Sequence, residues 1–213
     1  MTISDSRKKA DYTFYLVTDT GMCPREKLSD LVERSILGGA TIVQLREKNI
    51  STRAFLEEAK TLFTVTQKYD IPLIINDRLD IALAVGCGLH VGQDDMPVEI
   101  ARKIMGEDSI IGVSASSLAE AAAAESGGAD YIGVGAFFPT GTKTDAALVS
   151  FETLSAIRQS VRLPIVAIGG INQKTIPLFA GSGIDGIAVV SAVMRSPEPQ
   201  KDTRFMKEMF CRA

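Results

Sequence analysis

Eight short apolar runs, each followed by a longer stretch of helical periodicity, set the strongest constraint on what this chain can become. The runs lie at residues 13–18, 42–46, 73–76, 88–91, 110–114, 131–135, 165–168 and 186–190. They are rich in Val and Ile and too short for helices, as expected of parallel strands covered on both faces. Helical periodicity follows at 26–37, where Leu28, Leu31, Val32, Ser35 and Ile36 share one face. It recurs at 52–69, 79–85, 98–105, 118–126, 151–160, 175–180 and 204–211. Strict alternation implies a parallel sheet with right-handed crossovers, and a count of eight favours closure over an open doubly wound sheet. The expected fold is α/β, a single-domain (β/α)8 TIM barrel over residues 12–213, after a polar segment at 1–11. No GxGxxG follows the first run, so the usual dinucleotide fingerprint is absent.

Local punctuation agrees with these boundaries. Ser51-Thr52 and Ser116-Ser117 suit helix starts, and Pro97 suits a first helical turn. Gly38-Gly39, Gly127-Gly128 and Gly181/Gly183 stand where helices must stop. Pro72 and Pro164 precede apolar runs, where a missing donor is tolerated.

Composition narrows the partners. A formal charge of −3 leaves no broad basic face for nucleic acid, although a small anion needs only a few cations and backbone N–H groups. Three cysteines without ligand spacing suggest structural thiols in a reducing compartment. The first residues hold no apolar signal region, and no run of about 18 apolar residues occurs. A cytoplasmic enzyme acting on small molecules is expected, and a homo-oligomer is compatible with this reading.

In a barrel of this kind chemistry gathers where the strands end. Run 2 ends in Gln44-Leu45-Arg46-Glu47-Lys48, run 3 in Asn76-Asp77-Arg78, and run 5 in Ser114. Gln93-Asp94-Asp95 follows run 4, Pro139-Thr140-Gly141-Thr142-Lys143 follows run 6, and Gly169-Gly170 and Val190-Ser191 close runs 7 and 8. Arg46, Glu47 and Lys48 also read as a solvated turn, and Asp77 and Asp95 each suit a capping role. As a pair, the aspartates match the few carboxylates with which Mg2+ is held beside a substrate phosphate. The glycine pair and Val190-Ser191 match the phosphate site that recurs after strands 7 and 8 of such barrels. His90 is the one histidine, and with no evident partner it reads as structural. No GxSxG, HExxH or paired Cys/His motif is present.

These motifs together resemble the thiamine-phosphate synthase family, across nearly the whole barrel. The family's QLREK stands at Gln44 to Lys48, its IND at Ile75 to Asp77, and its HxGQxD at His90 to Asp95. Its PTxTK stands at Pro139 to Lys143 and its AIGGI at Ala167 to Ile171. The resemblance implies a transferase that joins a pyrimidine diphosphate to a thiazole phosphate with release of pyrophosphate. It implies that Gln44, Leu45, Arg46, Glu47, Lys48, Asn76, Ser114 and Lys143 receive the pyrimidine diphosphate. Thr140, Gly141, Thr142, Gly170, Val190 and Ser191 would receive the thiazole phosphate, and Asp77 and Asp95 would bind Mg2+. Arg46, Lys48, Ser114 and Lys143 would carry catalysis.

Three alternatives remain at this level. A thiazole tautomerase relative tends to lose the carboxylates and lysines found here. A sugar-phosphate or tryptophan-pathway isomerase needs a proton-transfer pair that is not identifiable. A non-catalytic sensor of thiamine precursors has no need of a metal at a leaving group. Gly and Thr content in the loop at 137–150 suggests closure over the substrates to exclude water. Substrates are then expected to protect this loop from limited proteolysis; equal cleavage with and without them would contradict closure.

Overall fold

The computed structural model describes residues 10–139 and 148–213. Eight strands run in parallel: β1 Phe14–Val17, β2 Ile42–Leu45, β3 Leu73–Asn76, β4 Gly88–Val91, β5 Ile111–Ala115, β6 Tyr131–Val134, β7 Ile165–Ala167 and β8 Gly186–Val189. They pair in chain order, and β8 returns to β1 with Tyr15 opposite Ala188, which closes the barrel. The helices are α1 Arg25–Gly38, α2 Thr52–Gln67, α3 Leu79–Val85, α4 Val98–Met105, α5 Leu118–Ser126, α6 Phe151–Ser160, α7 Ser191–Met194 and α8 Pro199–Arg212. None of the described helices is long and apolar enough to cross a membrane.

Side chains alternate between two cores, as a strand's period of two requires. Phe14, Leu16, Val43, Leu45, Ile75, Leu89 and Ile132 face outward and pack beneath the helices. Tyr15, Val17, Ile42, Ile74, Ile110, Tyr131, Val166 and Ala188 face inward and fill the barrel itself. Tyr12 joins them from below, its ring centroid 4.9 Å from that of Tyr131. Such bulk requires a vacancy opposite: a Cβ on Gly112 would stand 2.1 Å from Cζ of Tyr131. The interior is a packed core, open to function only at its upper layer.

Helix starts follow ordinary chemistry. Ser51, Ser117 and Ser150 each accept a hydrogen bond from a backbone N–H in the first turn of α2, α5 and α6. Gly39 ends α1 in the left-handed conformation. Two segments differ from the periodicity. Instead of an α-helix after β7 there is a 3-10 turn, Ile176–Phe179, a span too short for successive α-helical turns. The last helix begins at Pro199, earlier than expected, since proline is well suited to a first helical turn.

At the base of the barrel, Arg102 of α4 is buried with Asp130 at 2.6 Å. Its guanidinium also donates to the carbonyls of Gly128, Gly106 and Ser109. Asp130 accepts from the backbone N–H of Ile111, so this ion pair pins α4 to the start of β5. Arg102→Met leaves the Asp130 charge uncompensated and should cost about 3–5 kcal/mol. Urea unfolding would read this as a lower midpoint; an unchanged midpoint would show that the pair holds nothing.

Candidate active site at the strand ends

The upper inward layer is polar. Gln44, Asn76, His90 and Ser114 occupy inward positions on four consecutive strands, β2 to β5, and the first three are buried. Above them stand the charged groups. Lys48 Nζ donates to Asp77 Oδ2 at 2.5 Å. Arg46 lies 3.8 Å from Asp19, and its backbone N–H donates to the hydroxyl of Thr18. The backbone N–H of Gly92 donates to Asp95 Oδ2 at 2.7 Å.

Asp77 sits in the left-handed backbone region, at φ 63°. Aspartate tolerates that region better than most residues, and its backbone N–H is fixed by the carbonyl of His90. The turn brings its carboxyl within hydrogen-bonding reach of Asp95. Burial, and after it the neighbouring Asp77, raises the Asp95 carboxyl above the usual aspartate range. Two hard oxygen donors whose charges oppose one another suit a divalent cation, which relieves the repulsion and leaves room for water and phosphate. Among the described residues no group of three or more His, Cys, Asp or Glu forms a larger metal cage. The donor set therefore fits Mg2+ shared with a ligand, not a closed structural ion.

On the far side of the mouth, Gly169 and Gly170 have φ 97° and 71°. Gly170 has no room for a side chain, since a Cβ would stand 2.6 Å from Cβ of Phe138. Its carbonyl accepts from Asn172 Nδ2 and Thr175 Oγ1, which sets the turn. On the next strand, Val190 precedes α7, and Ser191 opens that helix in an exposed position. Thr140, Gly141, Thr142 and Lys143 lie outside the described residues, as does most of the loop at 137–150.

Not every residue of the QLREK string faces the mouth. Leu45 points outward into the helix-facing core, which leaves only its backbone for a ligand. Glu47 is buried: Thr20 Oγ1 and Arg25 Nη2 both donate to its Oε2 at 2.8 Å. Arg25 also meets Glu58 of α2 at 3.4 Å, so Glu47 helps to brace the turn after β1. Neither inner thiol is primed as a nucleophile. Burial raises Cys23, and it pushes Cys87 up to about 12.

Sequence periodicity missed a second feature. Gln44 Nε2 donates to Tyr15 Oη at 3.0 Å, and Tyr15 Oη lies 2.6 Å from Tyr131 Oη. Tyr131 Oη lies 2.9 Å from His90 Nδ1, and His90 Nε2 lies 2.9 Å from Ser114 Oγ. His90 is thus partnered on both ring nitrogens. The available signal was parity, because Tyr15, Gln44, His90, Ser114 and Tyr131 all fall on inward positions of their strands.

The raised Asp95 carboxyl has a stability consequence. The folded chain holds that proton more tightly than the unfolded chain, so stability declines as pH rises from the ordinary aspartate range through the raised one. In metal-free buffer Asp95→Asn should weaken that decline, melting above wild type at neutral pH and converging with it in acid. Thermal melts across pH would test this; parallel curves would contradict it.

The thiamine monophosphate synthase family model (TMP-TENI) matches residues 14–193. The thiamine-phosphate synthase of Clostridium botulinum (strain Eklund 17B / Type B) is 52% identical over 205 residues, 96% of each chain. That of Clostridium tetani (strain Massachusetts / E88) is 52% identical over 195 residues, 91% of this chain and 93% of its own. The solved thiamine phosphate pyrophosphorylase from Pyrococcus furiosus superposes with a TM-score of 0.87 at 41% identity, covering 95% of this chain and 97% of that one. A match spanning the barrel from β1 into α7, with relatives this similar over nearly their full length, places the chain in the thiamine monophosphate synthase family.

Proposed function

We propose that this enzyme joins 4-amino-2-methyl-5-(diphosphooxymethyl)pyrimidine to 4-methyl-5-(2-phosphooxyethyl)thiazole, giving thiamine phosphate and pyrophosphate. The observation that carries the reading is a mouth with two distinct edges for anions. The β2–β4 edge presents Arg46, Lys48, Asp77 and Asp95, and the β7–β8 edge presents Gly170, Val190 and Ser191. A substrate with a diphosphate and another with a single phosphate can each be held by one edge, their rings meeting over the polar layer between.

Arg46, Lys48 and Lys143 offset the negative charge that develops on the departing diphosphate. Asp77 and Asp95 would hold Mg2+, which when bound supplies further positive charge to the diphosphate oxygens. Gln44, Asn76 and Ser114 face the pyrimidine, and Gly170, Val190 and Ser191 receive the thiazole phosphate, with Thr140, Gly141 and Thr142 assigned to the same phosphate by their family motif. The carbon–oxygen bond breaks with its electron pair leaving on diphosphate, while the aminopyrimidine releases electron density toward the methylene carbon. The neutral thiazole nitrogen then forms the new carbon–nitrogen bond. No proton has to be removed, so the chemistry calls for cations and hydrogen-bond donors around the leaving group and no general base. Cys23, Cys87 and Cys211 are free thiols, which fits a cytoplasmic setting for such an enzyme.

Incubation of the purified enzyme with both substrates and Mg2+ should yield pyrophosphate and thiamine phosphate in equal amounts. Asp95→Ala and Lys143→Ala should each lower the rate about a hundredfold or more. Mg2+ should also raise the wild-type melting temperature more than that of Asp95→Ala. Saturable substrate binding without product from the wild-type enzyme would overturn the assignment.

A further inference from the structure

Tyr15 and Tyr131 carry phenolic hydroxyls into the polar layer of the barrel, where phenylalanine would fill the same space. Buried hydroxyls persist where they are bonded, and these two join opposite sides of the polar layer. Counting protons gives the chain a direction. Gln44 Nε2 is a donor, so Tyr15 Oη accepts from it, and the Tyr15 hydrogen is itself bonded when it is directed to Tyr131 Oη. Tyr131 Oη, already accepting, directs its hydrogen to His90 Nδ1. A neutral imidazole that accepts at Nδ1 carries its proton on Nε2, which faces Ser114 Oγ. Ser114 Oγ therefore accepts, and its own hydrogen is left for whatever lies above it. Burial raises both phenols well above their ordinary value, so neither loses the hydrogen this direction requires.

We propose that Tyr15 and Tyr131 are positioning residues, which set the His90 tautomer and thereby make Ser114 a hydrogen-bond donor to an acceptor atom of the substrate ring. This rests on the reading that a pyrimidine, whose ring nitrogens are acceptors, lies over Ser114. The relay gives the one histidine of the chain a place beneath the mouth, between Tyr131 and Ser114. It also sets a directional polarity that an apolar barrel floor cannot supply. In a water-poor interior each link polarises the next, so the first and last members act as a unit.

The single histidine makes the test direct. In 15N-labelled wild-type enzyme without substrates, His90 should show a pyrrole-like Nε2 and a pyridine-like Nδ1. Tyr131→Phe removes one hydroxyl, keeps the ring, and should change the ring-nitrogen signals toward a mixture of tautomers. The same variant should lower kcat/KM for the pyrimidine diphosphate about tenfold, as loss of one buried hydrogen bond predicts, while KM for the thiazole phosphate stays unchanged. Tyr15→Phe should have a smaller effect, and the double variant should be no worse than Tyr131→Phe alone. Tyr69→Phe, which removes a hydroxyl bonded to Glu33 in the outer layer, should alter neither spectrum nor kinetics. A proton on Nδ1 in the wild type, or an unchanged spectrum in Tyr131→Phe, would overturn the relay. If the wild type formed no thiamine phosphate, the functional assignment would fail while the spectrum still decided the tautomer.

Discussion

Closure of β8 onto β1 turns the sheet into a tube with an interior that side chains must fill. Each inward position then meets residues from across the barrel as well as from its neighbouring strands. Tyr131 illustrates the demand: its ring contacts Tyr12 and Tyr15, lies beside His90, and occupies the space that Gly112 leaves. Lower in the tube the solution is apolar bulk from Ile42, Ile74, Ile110 and Val166. Near the top, polar groups can be admitted because they satisfy one another and meet the mouth. The functional layer is a continuation of core packing, with hydrogen bonds replacing some of the hydrocarbon contact.

That layer supports charge of both signs within a small area. Lys48 stands against Asp77, Asp77 against Asp95, and Arg46 near Asp19. The carboxyl pair is costly while bare, and Asp95 records that cost in its reluctance to ionise. Beneath the same rim, Arg25 between Glu47 and Glu58 ties the turn after β1 to β2 and α2. The string Gln44 to Lys48 thus divides by parity and burial: Gln44 serves the interior, Leu45 the outer core, Glu47 the brace, and Arg46 and Lys48 the mouth.

Strands were legible to within a residue or so, because Val- and Ile-rich runs of fixed parity have few other uses in a chain of this organisation. The convergence of Lys48, Asp77 and Asp95 was legible as well, since each stands in the loop that follows a strand. Helical detail after β7 was less so. Residues 175–180 keep apolar periodicity, but the short span forms only a 3-10 turn. The four-residue helix after β8 is too brief to leave a periodic signal. The relay was hidden for a different reason. Tyr15 and Tyr131 contribute to a strand as large hydrophobic residues do, and their hydroxyls gain meaning only when strands distant in the chain come together.

The outer layer closes by a comparable long-range contact. Ser35 of α1 and Thr203 of α8 share a buried hydrogen bond at 2.9 Å across 168 positions, and Gly38 lies directly against the backbone of Gln200. Directly inside that contact, β1 and β8 form the seam of the barrel. The first βα unit therefore emerges from the ribosome with its partners still untranslated, and its apolar flank stays uncovered until β8 and α8 have been made. Whatever order the middle units adopt, β1 and α1 wait for β8 and α8 to complete the barrel.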